Sequence, residues 1–386
     1  KLLLALGLVL NLGTLVGFKY TGFFIENLNH WFSLSIPVPD LPLPLGISFF
    51  TFRTVSYLID CAWGKFKSER NFFTFLLYVS FFPITISGPI ARYETMQAYL
   101  HQRRISADDI SIGFGRIAVG LAKKIMLADR LSGIVDQFLG NDFTSQTTLG
   151  VWYGVVLYAL QMYFDFSGYS DMAIGIARIF GFHLDENFRH PFLCKDITEF
   201  WQRWHISLGT FFRDYLLYVP LFGKRRKIGG LLLVWFCTGL WHGASWNFVL
   251  WGLIFFVLLT LEKNVYGKFL ERTHILKHAY IIFIIPLTWM VFAITDMHQL
   301  GTYFTRLFPF LTSDEVQSNT RDAVQAFHNY WKILVPCVLF STPLPLMYYK
   351  KFRKSGFCML LLLILFVLAI RAMMTQTNNP FLYFQF

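Results

Sequence analysis

Two histidines stand in segments otherwise built for an apolar setting. His205 lies in Phe200-Trp-Gln-Arg-Trp-His-Ile-Ser-Leu, and His242 in Thr238-Gly-Leu-Trp-His-Gly-Ala-Ser-Trp. An imidazole ionises near neutral pH and is costly to bury between apolar helices, so proton-transfer chemistry is the leading reading. Gly239, Gly243 and Ala244 around His242 let a helix or a thin ligand approach the ring, while Trp241 and Trp246 wall it against water. That setting suits a general base that takes a proton from a hydroxyl without hydrolysing an activated ester. The plainer alternative is a histidine that ties two helices together by hydrogen bonds. His205, beside Arg203 and Trp204 and near Arg213 and Asp214, is read as an orienting or polarising group, with a structural hydrogen bond equally open.

A second polar constellation is Gln161-Met-Tyr-Phe-Asp-Phe-Ser-Gly-Tyr-Ser-Asp-Met-Ala. On a helix, Asp165 and Tyr169 share one face and Ser167 and Asp171 another. With Tyr163 they form a packing network or line a cavity, because polar groups in an apolar helix need partners. The preferred role is support of the site, concretely a carboxylate that fixes a histidine tautomer. The two histidines with Asp165 or Asp171 lack any metal-ligand spacing, so no metal is expected. Gly and Pro in Ser87-Gly-Pro-Ile-Ala-Arg and Pro44-Leu-Gly-Ile-Ser read as turn geometry, but Arg53 and Arg92 lie close enough to membrane depth to need an anionic partner.

The elements that must carry these residues are membrane helices. The chain is 55% hydrophobic, 19% aromatic and only 15% charged over 386 residues, and its mean hydropathy is +0.48. A soluble domain carries more charge. Apolar runs fall near 2–18, 43–62, 72–90, 147–164, 229–241, 248–262, 279–296, 333–348 and 356–374. We expect an all-α polytopic membrane protein of about 9–11 membrane helices around a central funnel or tunnel, as one domain over 1–386. Residues 22–42 read as an irregular loop, and 297–330 as another that holds a short amphipathic helix.

The net charge of +11 is not a nucleic-acid footprint. Its basic residues cluster between apolar runs, at 65–70, 103–104, 123–124, 224–227 and 350–354, the positive-inside pattern. The cluster before Phe357 starts the last helix on the cytoplasmic side, which puts the aromatic tail 375–386 outside. Five scattered cysteines without a Cys-x-x-Cys pair indicate neither a disulfide framework nor a zinc site. Lys1 opens directly on an apolar run without a cleavage site, so upstream sequence is expected to be missing.

The segments Pro44-Leu-Gly-Ile-Ser-Phe-Phe-Thr-Phe, Ser87-Gly-Pro-Ile-Ala-Arg, Tyr163-Phe-Asp-Phe-Ser-Gly-Tyr-Ser-Asp, Glu199-Phe-Trp-Gln-Arg-Trp-His-Ile-Ser-Leu, Phe212-Arg-Asp-Tyr-Leu, Gly239-Leu-Trp-His-Gly-Ala and Pro380-Phe-Leu-Tyr-Phe-Gln-Phe together resemble the membrane-bound O-acyltransferase family. The nearest branch is that of the bacterial alginate and peptidoglycan O-acetyltransferases. The resemblance implies an acetyl group carried from cytoplasmic acetyl-CoA through the bacterial inner membrane to a cell-envelope polysaccharide. It also implies a periplasmic SGNH-type acetyltransferase partner, with membrane lipid around the fold. His242 matches the family's catalytic histidine and His205 its companion.

Tyr383 would be a transient acyl acceptor, deprotonated by His242. Arg203, Arg213, Lys224, Arg225 and Arg226 would be at hand for the phosphates of acetyl-CoA. One departure is Phe292-Ala293, where a phenylalanine-arginine pair is usual. Competing expectations are D-alanyl transfer to teichoic acid, a transporter or channel gated by His242, and lipid or protein acylation.

Overall fold

The computed structural model describes residues 1–140, 146–218, 227–312 and 320–375. In chain order the helices are α1 (Leu2–Phe32), α2 (Ile47–Ala62), α3 (Phe72–Val79), α4 (Tyr93–His101), α5 (Ala107–Ala122), α6 (Asp129–Leu139), α7 (Thr148–Ile179), α8 (Ile197–Arg203), α9 (Ile206–Phe212), α10 (Lys227–His242), α11 (Trp246–Leu261), α12 (Gly267–Glu271), α13 (Leu276–Ala293), α14 (Met297–Leu307), α15 (Arg321–Phe340), α16 (Leu344–Phe352) and α17 (Gly356–Thr375). No strand occurs among the described residues. Among the described residues, four helices are long and apolar enough to cross a membrane: α1, α11 extended to Glu271, α13 and α17. The pair α15–α16, bent by 68°, makes a fifth if taken as one broken span.

This is a multi-pass, all-α protein. Several apolar runs of the sequence become shorter helices, such as the 16 residues each of α2 and α10. Such pieces cross at most part of a bilayer and need protein around them. The segment 22–42 departs from expectation. Helix α1 continues to Phe32 and ends on Ser33 in the left-handed conformation, so only the proline-rich part is irregular. Asn27 in that added helix has a use, since its side-chain oxygen accepts the Trp246 indole N–H at 2.8 Å. The amphipathic helix expected within 297–330 is α14, started by the Asp296 side chain accepting from the N–H groups of His298 and Gln299.

Helix α7 is the hub. It crosses α5 antiparallel through two reciprocal glycine contacts. A methyl on Gly120 would lie 2.5 Å from the Gly168 carbonyl oxygen, one on Gly168 2.8 Å from that of Gly120, and Gly113 and Gly175 repeat the pattern at 2.7 Å each way. Backbones this close leave no room for a side chain. Around the glycines the helices exchange charge. Arg116 meets Asp171 at 2.9 Å, Lys123 meets Asp171 at 2.7 Å and Lys124 meets Asp165 at 2.7 Å. Lys123 and Lys124 open a π-helical stretch to Ala128, which widens the turn where both must face α7.

Helices α10 and α11 form a second close pair. A methyl on Gly239 would meet the Phe248 carbonyl oxygen at 2.3 Å, and one on Gly252 the Trp235 carbonyl oxygen at 2.3 Å. Helix α5 is started by a capping box. Ser106 accepts from the Asp109 N–H while the Asp109 carboxylate accepts from the Ser106 N–H, and Arg178 and His183 reach the same carboxylate.

Candidate functional site

His205 occupies the turn between α8 and α9. Its φ of 42° and ψ of 53° lie in the left-handed region, a conformation that needs support from its surroundings. That support comes from Asn187. The Ile206 N–H donates to the Asn187 carbonyl at 3.0 Å, and the Asn187 side-chain oxygen accepts from the Ser207 N–H at 3.2 Å and the Ser207 hydroxyl at 2.9 Å. The same oxygen is 3.2 Å from His205 Nδ1. A backbone N–H can only donate, so the atom facing Ser207 is the amide oxygen, and an oxygen facing Nδ1 requires the proton on Nδ1. In the neutral ring the Nε2 lone pair is then exposed to whatever enters the site. Among the described residues Nε2 has no hydrogen-bond partner, although His205 is only 1% exposed.

Glu262 steadies the approach to His205. Its buried carboxyl accepts from the Ile197 and Thr198 N–H groups and the Thr198 hydroxyl, at 2.8, 3.1 and 2.7 Å, and so satisfies open N–H groups of the first turn of α8.

His242 ends α10. Its ring packs edge-on against Trp241, Trp251 and Phe292, with centroids 4.9, 5.1 and 5.0 Å away. The end of α10 is held by α1. Lys19 donates to the Trp241 and His242 carbonyls, and the Tyr20 hydroxyl donates to the Leu240 carbonyl at 2.6 Å. A cation and a hydroxyl thus satisfy carbonyls that a helix C-terminus leaves open. Beyond the ring, Gly243 leaves space that a methyl would take from Phe248, only 2.2 Å away.

The two histidines share one wall. The Trp241 indole centroid is 5.9 Å from His205 and 4.9 Å from His242. Phe166 meets His205 edge to face at 4.7 Å, and Trp289 stands 5.8 Å from Trp251. The indole N–H groups of Trp251 and Trp289 are buried and find no acceptor among the described residues. Donors preset in a water-poor pocket can hold a carbonyl oxygen as negative charge develops on it. A nucleophile activated by an imidazole, next to such donors, is the equipment of acyl transfer.

Several expectations change in detail. Trp246 does not wall His242. It is 45% exposed and packs on Phe23 and Trp31 of α1, while Trp251 takes the inner position. Asp165 and Asp171 do share α7 with Tyr163, Ser167 and Tyr169, but the carboxylates engage lysine and arginine across the α5 crossing. The group on the His205 tautomer is the Asn187 amide, not a carboxylate. Tyr163 packs between Phe192 and Phe188, and Ser167 is buried in the same core.

Arg203 pairs with Glu199 at 2.5 Å and Arg213 with Asp214 at 2.8 Å, so both guanidinium groups are already engaged by carboxylates. Lys224, Arg225, Arg226 and Tyr383 lie outside the described residues. Among the described residues no cluster of three histidine, cysteine or acidic side chains is placed to hold a metal. Asn187, Lys19 and Glu262 escaped the sequence reading. Only Asn187, 18 residues before His205, left a local trace, as an amide closely preceding the motif.

The signature described as MBOAT, membrane-bound O-acyltransferase family, matches residues 2–304. A probable alginate O-acetylase AlgI of Azotobacter vinelandii is 35% identical over 316 residues, covering 80% of this chain and 63% of that protein. Its counterpart in Pseudomonas putida is 33% identical over 99% of this chain and 84% of its own length. A peptidoglycan O-acetyltransferase of Helicobacter pylori is 36% identical over 68% of this chain and 55% of its own. The chain therefore spans a little under two thirds of the Azotobacter relative and just over half of the Helicobacter one.

Proposed function

Starting from its membership of the membrane-bound O-acyltransferase family, we propose that this acyltransferase moves acetyl groups from cytoplasmic acetyl-CoA across the bacterial inner membrane for O-acetylation of an envelope polysaccharide such as alginate or peptidoglycan. The observation that carries the reading is the pair of histidines on Trp241, with a lone pair on His205 Nε2 and the free indole donors of Trp251 and Trp289 beside them. The polysaccharide relatives support the acceptor class.

In the proposed chemistry His242 takes the proton of the Tyr383 hydroxyl, and the phenolate oxygen attacks the thioester carbonyl. The carbon–sulfur bond breaks, the CoA thiolate takes up the proton from the imidazolium, and an acetyl-tyrosine remains. A periplasmic SGNH-type partner then moves the acetyl group to a sugar hydroxyl. The indole donors hold the reacting carbonyl and stabilise the tetrahedral oxyanion, while His205 keeps an acceptor, its Nε2 lone pair, at the site.

The test is incubation of purified protein with radiolabelled acetyl-CoA, followed by intact-mass and peptide analysis. A histidine-dependent acetyl adduct on Tyr383, absent in His242→Ala and Tyr383→Phe, is expected. Unchanged polymer acetylation by a folded Tyr383→Phe protein removes the relay. Thioester cleavage that persists in His242→Ala removes the base.

A further inference from the structure

Among the described residues, two arginines are poorly matched by counter-charge, Arg53 without a carboxylate partner and Arg92 with only a long contact to Asp214. Arg53, on α2, is 1% exposed. Its Nη1 donates to the Tyr78 carbonyl at 3.3 Å, while Nε and Nη2 have no acceptor among the described residues. Among the described residues Arg92, just before α4, likewise leaves Nη1 and Nη2 without a hydrogen-bond acceptor, and it meets the Asp214 carboxylate at 3.6 Å. Tyr78 ties the two together, since its hydroxyl lies within donating distance of the Arg53 and Ala91 carbonyls, at 3.4 and 3.2 Å.

The acids nearby are already shared. Asp60 takes Lys65 at 2.7 Å and the Tyr215 hydroxyl at 2.5 Å, and Asp214 takes Arg213. Among the described residues, Arg92, Lys65 and Arg213 share Asp60 and Asp214, and Arg53 has no carboxylate within salt-bridge distance, four cations against two anions. A buried guanidinium left in excess costs stability unless an anion joins it. Planar forks of this kind match phosphate oxygens.

From this cluster a row of rings leads to the histidines. Arg92 lies over Tyr215 at 4.3 Å and Phe211 at 5.2 Å. Phe211 stacks on Phe52 at 4.1 Å, Phe52 on Trp241 at 5.6 Å, and Trp241 touches both imidazoles. One edge of the cluster, Asp60 with Lys65, lies at the end of α2 that runs into the basic stretch Lys65, Lys67 and Arg70, the pattern of a cytoplasmic face.

We propose that Arg53 and Arg92 form the subsite for the phosphate at the head of the acyl donor's phosphopantetheine arm, and that the ring row guides the arm's thioester end to Trp241 and the histidines. This rests on the thioester-donor reading above. It moves the donor's anchor away from Arg203 and Arg213, which carboxylates already occupy. The shared chemistry is the phosphorylated arm, whether free CoA or a carrier protein presents it. Asp214, 36% exposed and loosely held by Arg92, is the anion that the phosphate displaces.

The test is binding, which does not depend on turnover. Calorimetry of the detergent-solubilised full chain uses CoA, 4′-phosphopantetheine and pantetheine as probes. The wild type is expected to bind 4′-phosphopantetheine at least about tenfold tighter than pantetheine. Arg92→Met should erase most of that preference while binding pantetheine within about twofold of wild type. Arg92→Lys should restore part of it, and Asp214→Asn should tighten CoA binding. Equal affinity of the wild type for phosphopantetheine and pantetheine overturns the subsite. So does an unchanged preference in both Arg92→Met and Arg53→Met. CoA tighter than phosphopantetheine by a step that Arg92→Met leaves intact assigns that step to the nucleotide end, outside this subsite. Phosphate-dependent binding without acetyl transfer upholds the subsite and refutes the acetyl-CoA reading instead.

Discussion

Replacing Gly239 by alanine tests whether the α10–α11 crossing sets the position of His242. A methyl there would lie 2.3 Å from the Phe248 carbonyl oxygen, where ordinary contact begins near 3.4 Å, so the two backbones must part by about 1.1 Å. Overpacking of this kind costs about 1–3 kcal/mol. Helix α10 ends three residues later at His242, whose carbonyl end is pinned to Lys19 and Tyr20 of α1. The strain therefore falls on the imidazole, and a misplacement of about 1 Å at a reacting group costs on the order of 100-fold in rate.

Gly239→Ala should lower kcat for acetyl transfer by roughly that factor, with a smaller effect on donor KM, and lower the thermal midpoint in detergent. Gly133→Ala and Gly301→Ala are the controls. A methyl at either meets nothing within 4 Å, and both glycines are helical, so each should be neutral or stabilising by up to about 1 kcal/mol. A Gly239→Ala protein with wild-type kcat and thermal midpoint would refute the claim that this crossing positions the histidine.

Three further outcomes follow from the contacts. Asn187→Ala removes the acceptor that keeps the proton on Nδ1, so His205 should populate both tautomers and kcat should fall about tenfold or more; Asn187→Asp should move the acidic limb of the pH–rate profile upward by stabilising the imidazolium, a shift that a packing role would not produce. Asp171→Asn leaves Lys123 facing a neutral amide, with Arg116 still held by Glu186, and should cost about 3–5 kcal/mol in denaturation experiments, whereas the double replacement Asp171→Asn with Lys123→Met should cost less than the sum of the single ones. Asp109, at the polar start of α5, has its carboxyl lowered to about 2 by the Ser106 hydroxyl, the Ser106 N–H, His183 and Arg178 against the cost of burial. Its folded value is depressed, so its stabilisation is present above the ordinary value of 3.8 and lost as pH falls toward 2, and the gap in thermal midpoint between wild type and Asp109→Ala should close over that interval.

The chemistry was easier to read in the sequence than its supports. Trp-His-Gly and Trp-His-Ile announce themselves because histidine is out of place among apolar residues, and both rings do meet on Trp241. The partners of Asp165 and Asp171 were not legible, because Lys124 and Lys123 lie 41 and 48 positions away and reach them only through the α5–α7 crossing. A trace of that crossing exists in the matching seven-residue spacings Gly113–Gly120 and Gly168–Gly175. Lys19 is further out of reach, 222 residues before the carbonyl it holds. The loop drawn over 22–42 failed for a related reason. Glu26, Asn27 and Asn29 look like loop residues, yet Asn27 is polar because an indole of another helix needs an acceptor.

The charged crossing of α5 and α7 bears on how the chain enters a bilayer. Neither helix is among those long and apolar enough to cross unaided. A lone lysine, arginine or aspartate at the centre of an inserting segment is disfavoured by about 2.5–3.5 kcal/mol. Arg116 and Lys123 emerge first during synthesis, and Asp171, which pairs with both, arrives 55 and 48 residues later, whereas Lys124 meets Asp129 five residues on and gains Asp165 only with α7. The earlier segment must therefore wait at the insertion machinery until α7 has been made, and the two must partition together as a hairpin. A nascent chain arrested between Lys124 and Asp165 should stay extractable by alkaline carbonate, and one extended past Asp171 should not.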